Sequence, residues 1–482
     1  MKSSFTAPES RLSRPLVPLV VELPPEVDVP RALERLAKRR RVCAIDSAAG
    51  EPRRCGVVAF DPHRELLART ADGDPLAALA AGLATMGPPE ADLPGPFAGG
   101  FLGALAYDVG VRGERPVDCA PEPWGFPDLV GGVYGDFLVR DEQRGRSWLV
   151  LDAAERDDRP PVEHRREELR ELLLAAPAPA AVDRGPVVGS ARRHVERDEH
   201  MQRIEAVRRA IAAGDLYQAN LAHRLTSPTA LGPLELYLRL RAVNPAPYMG
   251  YCAWHDRDSG AAALLSASPE LLFEFDGRRA RTRPIKGTAA RSPDPDEDRA
   301  SAARLLASDK DLAELTMIVD LERNDLGRIC VPGGVRVEGC PTLRSYARVH
   351  HLMADVVGEV RPGVAALDVL AALFPGGSVT GAPKLASMEL IARLEREGRG
   401  FFCGSLGFVD TRGRSAFNIL IRTLLWRAAP GGGEVSFRVG GGITWSSEAA
   451  AEDRETLDKA AGLLDALGGS ASAVVEPEAR PY

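Results

Sequence analysis

What the 482-residue chain lacks narrows it first. No stretch approaches the length of a membrane-spanning helix, about 18 to 20 uncharged apolar residues. No basic run is interleaved with aromatics, and the formal net charge is −7, which argues against nucleic acid as a partner. An anionic small substrate stays compatible with that balance, because a site can be locally positive. There is no Cys-x-x-Cys pair. The seven cysteines (43, 55, 119, 252, 330, 340, 403) are scattered and odd in number, which suits buried reduced thiols, not a disulfide framework or a zinc site. The opening Met1–Arg14 has no apolar signal-peptide core, so a cytoplasmic location is expected. What is present, 45% hydrophobic and 27% charged residues, is an ordinary globular mixture. The length allows one large or two ordinary domains.

Turn residues and periodicity divide the chain. Residues 1–16 read as a flexible tail, and 17–175 as a β-rich N-terminal region. Within that region Cys55–Phe60 and Val130–Tyr134 read as strands, Gly99–Asp108 as a tightly packed strand or turn, and 152–174 as a charged, leucine-spaced helix. Residues 176–190, rich in Ala, Pro and Gly, form the linker candidate; 191–468 is the main region and 469–482 a tail. Helices are expected around 196–213, from about Asp298 to Leu321, and from about Ala449 to Leu467. Strands and helices alternate without a strict βαβ repeat, so the fold class is α+β.

Several constellations carry chemistry. Lys286 follows the probable strand Leu271–Phe275 and stands in Arg283-Pro284-Ile285-Lys286-Gly287-Thr288, between a proline and a glycine turn that aim its amine. Such a lysine serves as nucleophile or base when desolvated, and otherwise makes an ion pair. Glu270, in Ser268-Pro269-Glu270, is sixteen positions earlier and offers either a catalytic acid or a salt-bridge partner. Glu314 lies in an apolar stretch, and Glu452 and Glu455 share one helical face. Two or three carboxylates without histidine or cysteine suit Mg²⁺ better than zinc, the alternative being a solvated acidic face. Phe374–Lys384 runs into a helix start and Gly440-Gly441-Gly442 lets backbone approach a ligand; neither is a nucleotide fingerprint, and both also read as tight turns. Arg422, in the strand-like run Ile419–Leu425, demands an acidic partner or captures a carboxylate. Lys459 reads as an i,i+4 partner of Glu455, and of His350 and His351 only one is expected to face a site.

Taken together these blocks resemble the chorismate-utilising enzymes. The blocks are Ser268-Pro-Glu, Pro284-Ile-Lys-Gly-Thr, Glu314-x-x-Met-Ile-Val-Asp-Leu-x-Arg-Asn-Asp-Leu326, Pro375-Gly-Gly-Ser-Val-Thr-Gly-Ala-Pro-Lys384, Phe402-Cys-Gly-Ser-Leu-Gly, Ile421-Arg-Thr, Gly441-Gly-Ile and Glu452-x-x-Glu-Thr-x-x-Lys459. They run in family order over roughly residues 195–465, with a weaker echo in Ile45-Asp46-Ser47 and Phe97–Tyr107. The resemblance implies an anthranilate synthase component I-like α/β sandwich of two large antiparallel sheets packed face to face with outer helices. It implies Mg²⁺ on Glu314, Glu455 and Glu452, holding chorismate. It gives Arg422, the Gly440, Gly441 and Gly442 amides, Thr380 and Lys459 to the substrate carboxylates, and makes His351 the site histidine.

Within the family, Pro-Ile-Lys-Gly-Thr and Tyr217-Gln-Ala-Asn-Leu221 look like aminodeoxychorismate synthases, whereas anthranilate synthases commonly carry a small residue where Lys286 stands. That implies amination of chorismate through a covalent Lys286 adduct, with Glu270 protonating the departing hydroxyl. No glutamine amidotransferase segment is seen, so a separate glutaminase subunit is expected to supply ammonia. Anthranilate or isochorismate formation on the same scaffold, or a non-catalytic chorismate-binding subunit, are the rival expectations.

Overall fold

The structure is a computed structural model that describes residues 14–49, 55–111, 117, 119–176, 190–346 and 349–477. Two antiparallel sheets dominate it. The 12-stranded sheet begins at Arg192–Arg193 and runs through Gln218–Thr229, Gly432–Ile443, Thr423–Ala429, Gly260–Ser268 and Tyr248–Asp256, then crosses into N-terminal strands from Cys43–Asp46 to Pro18–Leu23. The 10-stranded sheet runs from Ile285–Ala290 through Val349–Val360, Arg279–Arg283, Leu271–Phe275, Ser415–Asn418 and Ser405–Asp410 to Gly100–Leu105, Leu129–Tyr134 and Arg64–Ala68. Both sheets mix strands from before and after the linker candidate, of which 177–189 lie outside the described residues.

Period-two alternation decides which face each side chain takes. On Gly260–Ser268, Ala262 and Leu264 join the large core shared with the second sheet. Ala263 and Leu265 join a separate cluster on the outer face, covered by helices Val29–Leu36, Pro233–Val243 and Ala449–Ala466. The expected sandwich with outer helices is therefore present.

Aromatic side chains of the 10-stranded sheet settle onto its own backbone because three glycines line up across three of its strands. Gly103 is opposite both Gly407 and Gly131. A Cβ on Gly103 would fall 2.2 Å from Val130 O and 2.9 Å from the Phe101 ring, and one on Gly407 would fall 2.7 Å from the Phe417 ring. Aromatic rings lie on a surface that only hydrogen atoms leave free.

Two expectations change. The helix expected from Asp298 to Leu321 is two helices, Pro295–Leu306 and Asp309–Gly327. Ser308 breaks it by capping the second one, accepting from Asp311 N at 3.3 Å. Within the expected tail, Arg14–Leu16 forms a strand parallel to Met86–Pro89, while 1–13 lie outside the described residues.

The glycine row yields a direct test. Gly103→Ala is expected to cost about 1–3 kcal/mol by overpacking against backbone that cannot turn aside, read as a lowered midpoint in chemical unfolding.

Candidate active site

The site forms where the ends of the two sheets meet. The strand Gln218–Thr229 pairs with Gly432–Ile443 so that Asn220 is opposite Gly442 and Leu221 opposite Gly441. From the other sheet, Lys286 pairs with Leu352, and the register slips at Gly287, which has φ +81°. That glycine bulge re-aims the edge strand. A Cβ on Gly442 would lie 3.3 Å from Lys286 Nζ and 2.9 Å from Gln218 Nε2. The glycine is thus what lets the amine and the amide approach the strand.

Lys286 is half-buried and keeps some accessible surface, as a residue facing an open site does, with its amine set among Glu314, Glu270, Glu455 and Lys459. Burial, aided by Lys459, lowers its pKa, while Glu314, Glu270 and Glu455 act against that. Glu270 is 4% exposed, and burial raises its pKa against the pull of Lys286 and Arg422. Ile285 N donates to Glu270 Oε1 at 3.4 Å, and the Ser378 hydroxyl faces it without a regular hydrogen bond. An acid held towards its neutral form beside an amine held towards its neutral form is a pairing suited to proton transfer.

The three acidic residues converge on the same region from two helices. Burial raises the pKa of Glu314, with Asp311 and Glu452 adding like charge and Lys286 and Lys310 opposing. Glu452 is buried; its Oε1 accepts from Ser447 Oγ at 2.6 Å, and its Oε2 lies 3.3 Å from where a Gly441 Cβ would be. Glu455 works against burial but is held below the usual range by Lys459, whose Nζ is 2.9 Å from its Oε1 and donates to Gly440 O at 3.0 Å. The oxygens of the three do not all lie within 4.8 Å of one another, but a hard, all-oxygen donor set suits a divalent cation such as Mg²⁺.

The remaining expected residues take different roles in the geometry. Arg422 is not in a strand: it has φ +51° and sits just before Thr423–Ala429. Its pKa is lowered by burial, and its counter-charge is Glu270. His351 Nδ1 is 2.9 Å from Thr288 Oγ1, and burial with Arg422 pushes it down to about 4, so it is neutral near pH 7. His350 turns to Asp298, 3.0 Å away, as expected for its neighbour's opposite. Thr380 lies beside Asn220, but its hydroxyl donates to Gly376 O at 2.9 Å. Gln218 went unassigned in the sequence. It is fully buried, with both amide atoms lacking protein partners, so they face the site. The signal was a glutamine amid small and apolar strand residues.

Among the described residues, the one trio of potential metal donors within 4.8 Å of one another is His200, His223 and Asp453. Asp453 is already taken by Arg193 at 2.8 Å, Arg197 at 3.3 Å and His200 Nδ1 at 2.8 Å. Two guanidinium groups supply the positive charge a metal would bring. The network, with His223 Nε2 on Thr456 Oγ1 at 2.9 Å, pins the helix that carries Glu452 and Glu455. Burial opposes ionisation of Asp453, but His200 and Arg193 hold its pKa far below the usual range. A depressed carboxylate pKa contributes stability above the unfolded value, about 4, that is lost as pH falls through the folded value. Asp453→Asn is therefore expected to cost about 3–5 kcal/mol at pH 7, with the gap to the parent narrowing in acid, as followed by thermal unfolding across pH.

A profile of the family described as chorismate binding enzyme matches residues 40–465. The chain is 39% identical over 416 residues to the anthranilate synthase component 1 of Streptomyces coelicolor, covering 84% of this chain and 80% of that protein. It is 33% identical over 431 residues to the aminodeoxychorismate synthase component 1 of Bacillus subtilis, covering 89% of each. The solved anthranilate synthase component I of Streptococcus pneumoniae superimposes with a TM-score of 0.74 over 85% of this chain and 92% of that one, at 29% identity. Two kinds of relative at comparable identity leave the individual activity to the chemistry of the site. With its sandwich fold and a family match across most of its length, the chain belongs to the chorismate binding enzymes.

Proposed function

We propose that this chain aminates chorismate to 4-amino-4-deoxychorismate, as an aminodeoxychorismate synthase component I. The observation that carries the reading is the Lys286 nitrogen, set against Gly442 and within the field of Glu270 and Glu314. Direct attack of ammonia on the ring would need no amine there.

In this reading the neutral Lys286 amine attacks C2 of the ring and the double bond shifts. The C4–O bond breaks, and Glu270 gives its proton to the departing hydroxyl, which leaves as water. Ammonia then forms a bond to C4, the shift reverses, and the Lys286–C2 bond breaks. Arg422, Lys459 and the strand end Gly440–Gly442 hold the carboxylates of the substrate, and neutral His351 with Gln218 offers hydrogen bonds without charge. Thr380 contributes through its place in the wall beside Asn220, its hydroxyl being engaged by Gly376 O. Glu314, Glu452 and Glu455 would hold Mg²⁺, which neutralises charge on a substrate carboxylate.

The component 1 names of the relatives support a separate glutamine amidotransferase subunit as the ammonia source. The 39% identity to an anthranilate synthase component 1 favours anthranilate formation as a second reading.

The assay uses the purified chain with chorismate, Mg²⁺ and ammonium, and identifies the product by mass spectrometry. Aminodeoxychorismate is expected, with no turnover on glutamine alone; fluorescent anthranilate would overturn the reading. Lys286→Ala is expected to retain chorismate affinity and to lose at least about 10²-fold in product formation, within the range of removed nucleophiles and acids. Unchanged turnover in that variant would remove the covalent step.

A further inference from the structure

The helix Asp309–Gly327 buries Leu315, Ile318, Val319, Glu322, Asp325 and Leu326. Glu322 sits on this otherwise largely apolar stripe, two turns beyond Glu314 and 6% exposed. Its Oε2 accepts a hydrogen bond from Thr282 Oγ1. Thr282 belongs to the strand Arg279–Arg283, whose Arg283 lies opposite Leu271, the residue following Glu270. Glu322 therefore occupies the same sheet end as Glu270. The other charged groups facing it are Asp325 and Lys384, whose Nζ lies 2.6 Å from Asp325 Oδ2 and whose side chain is 17% exposed.

A buried carboxyl without a cation of its own is costly where a leucine would fit. Burial, with Glu270 and Asp325 as like-charged neighbours, pushes Glu322 up to about 8 against Thr282 and Lys384. It holds its proton at neutral pH. Glu270, 4% exposed, has little direct access to water.

We propose that Glu322 is a positioning residue for proton supply, returning a proton to Glu270 after Glu270 has protonated the leaving hydroxyl. The proton moves from the Glu322 carboxyl to the Glu270 carboxylate. Glu322 regains one from solvent. No bond other than these O–H bonds changes. The proposal rests on the reading of Glu270 as the acid.

Glu322→Gln and Glu322→Asp in the full chain, with Glu270→Gln as control, test it. For Glu322→Gln the expected result is a fall in kcat of roughly tenfold or more, short of the 10²–10⁴ of losing an acid outright. KM for chorismate stays unchanged and the solvent deuterium isotope effect on kcat grows. Glu322→Asp recovers part of the rate. A raised folded-state pKa in a carboxyl removes stability as pH rises from the unfolded value towards about 8. Glu322→Gln should therefore melt no lower than the parent at pH 9, which separates proton supply from folding. Parental kcat in Glu322→Gln, or a loss shared by KM and melting temperature, overturns the proposal. If Glu270→Gln keeps its rate, the acid assignment itself fails, whatever Glu322 does.

Discussion

An amine set among carboxylates is the constraint on which the site depends. Desolvation drives Lys286 towards its neutral, nucleophilic form, while Glu314, Glu270 and Glu455 drive it back towards ammonium. Desolvation is the larger influence, so the pKa of the lysine is lowered, and changes in neighbouring charge move it from there. Any cation that draws Glu314 and Glu455 towards itself moves the balance to the free amine. Glu270 is poised the opposite way: burial favours its protonated form, and the nearby cations restrain that. Donor and acceptor are thus prepared in opposite senses within one pocket.

The scaffold makes that arrangement possible by bringing the end of one sheet onto the end of the other. Gly442 leaves room for Lys286 and Gln218, Gly287 bends the strand that carries the lysine, and the glycine row at Gly407, Gly103 and Gly131 makes room for aromatic rings of the same sheet. The helix with Glu452 and Glu455 is fixed from behind by Asp453 and its arginine and histidine partners. That helix carries Glu452 and Glu455 towards the site, and Asp453 between them anchors it.

Much of this was legible in the sequence because the site is built from short blocks whose local geometry is self-contained. Pro284 and Gly287 announce an aimed lysine, and Glu452 and Glu455 announce a shared helical face. What was not legible depends on long-range register. That Gln218 and Lys286 meet at Gly442 depends on the pairing of Gln218–Thr229 with Gly432–Ile443, strands more than two hundred residues apart. Arg422 lies in an apolar run that reads as a strand, and only its left-handed backbone shows the turn. The break at Ser308 was readable as a cap, but the leucine spacing on both sides concealed it. Glu322 had a signal too: it falls on the helical period of Leu315, Ile318, Val319 and Leu326, where a charge calls for an explanation.

The most direct measurement is a mass-spectrometric trap of the chain incubated with chorismate and Mg²⁺ in the absence of ammonia. An adduct of chorismate less one water, mapped to the peptide containing Lys286, is the predicted result. Product formation upon adding ammonium, with no adduct on that peptide under quenching at any stage of turnover, would contradict it.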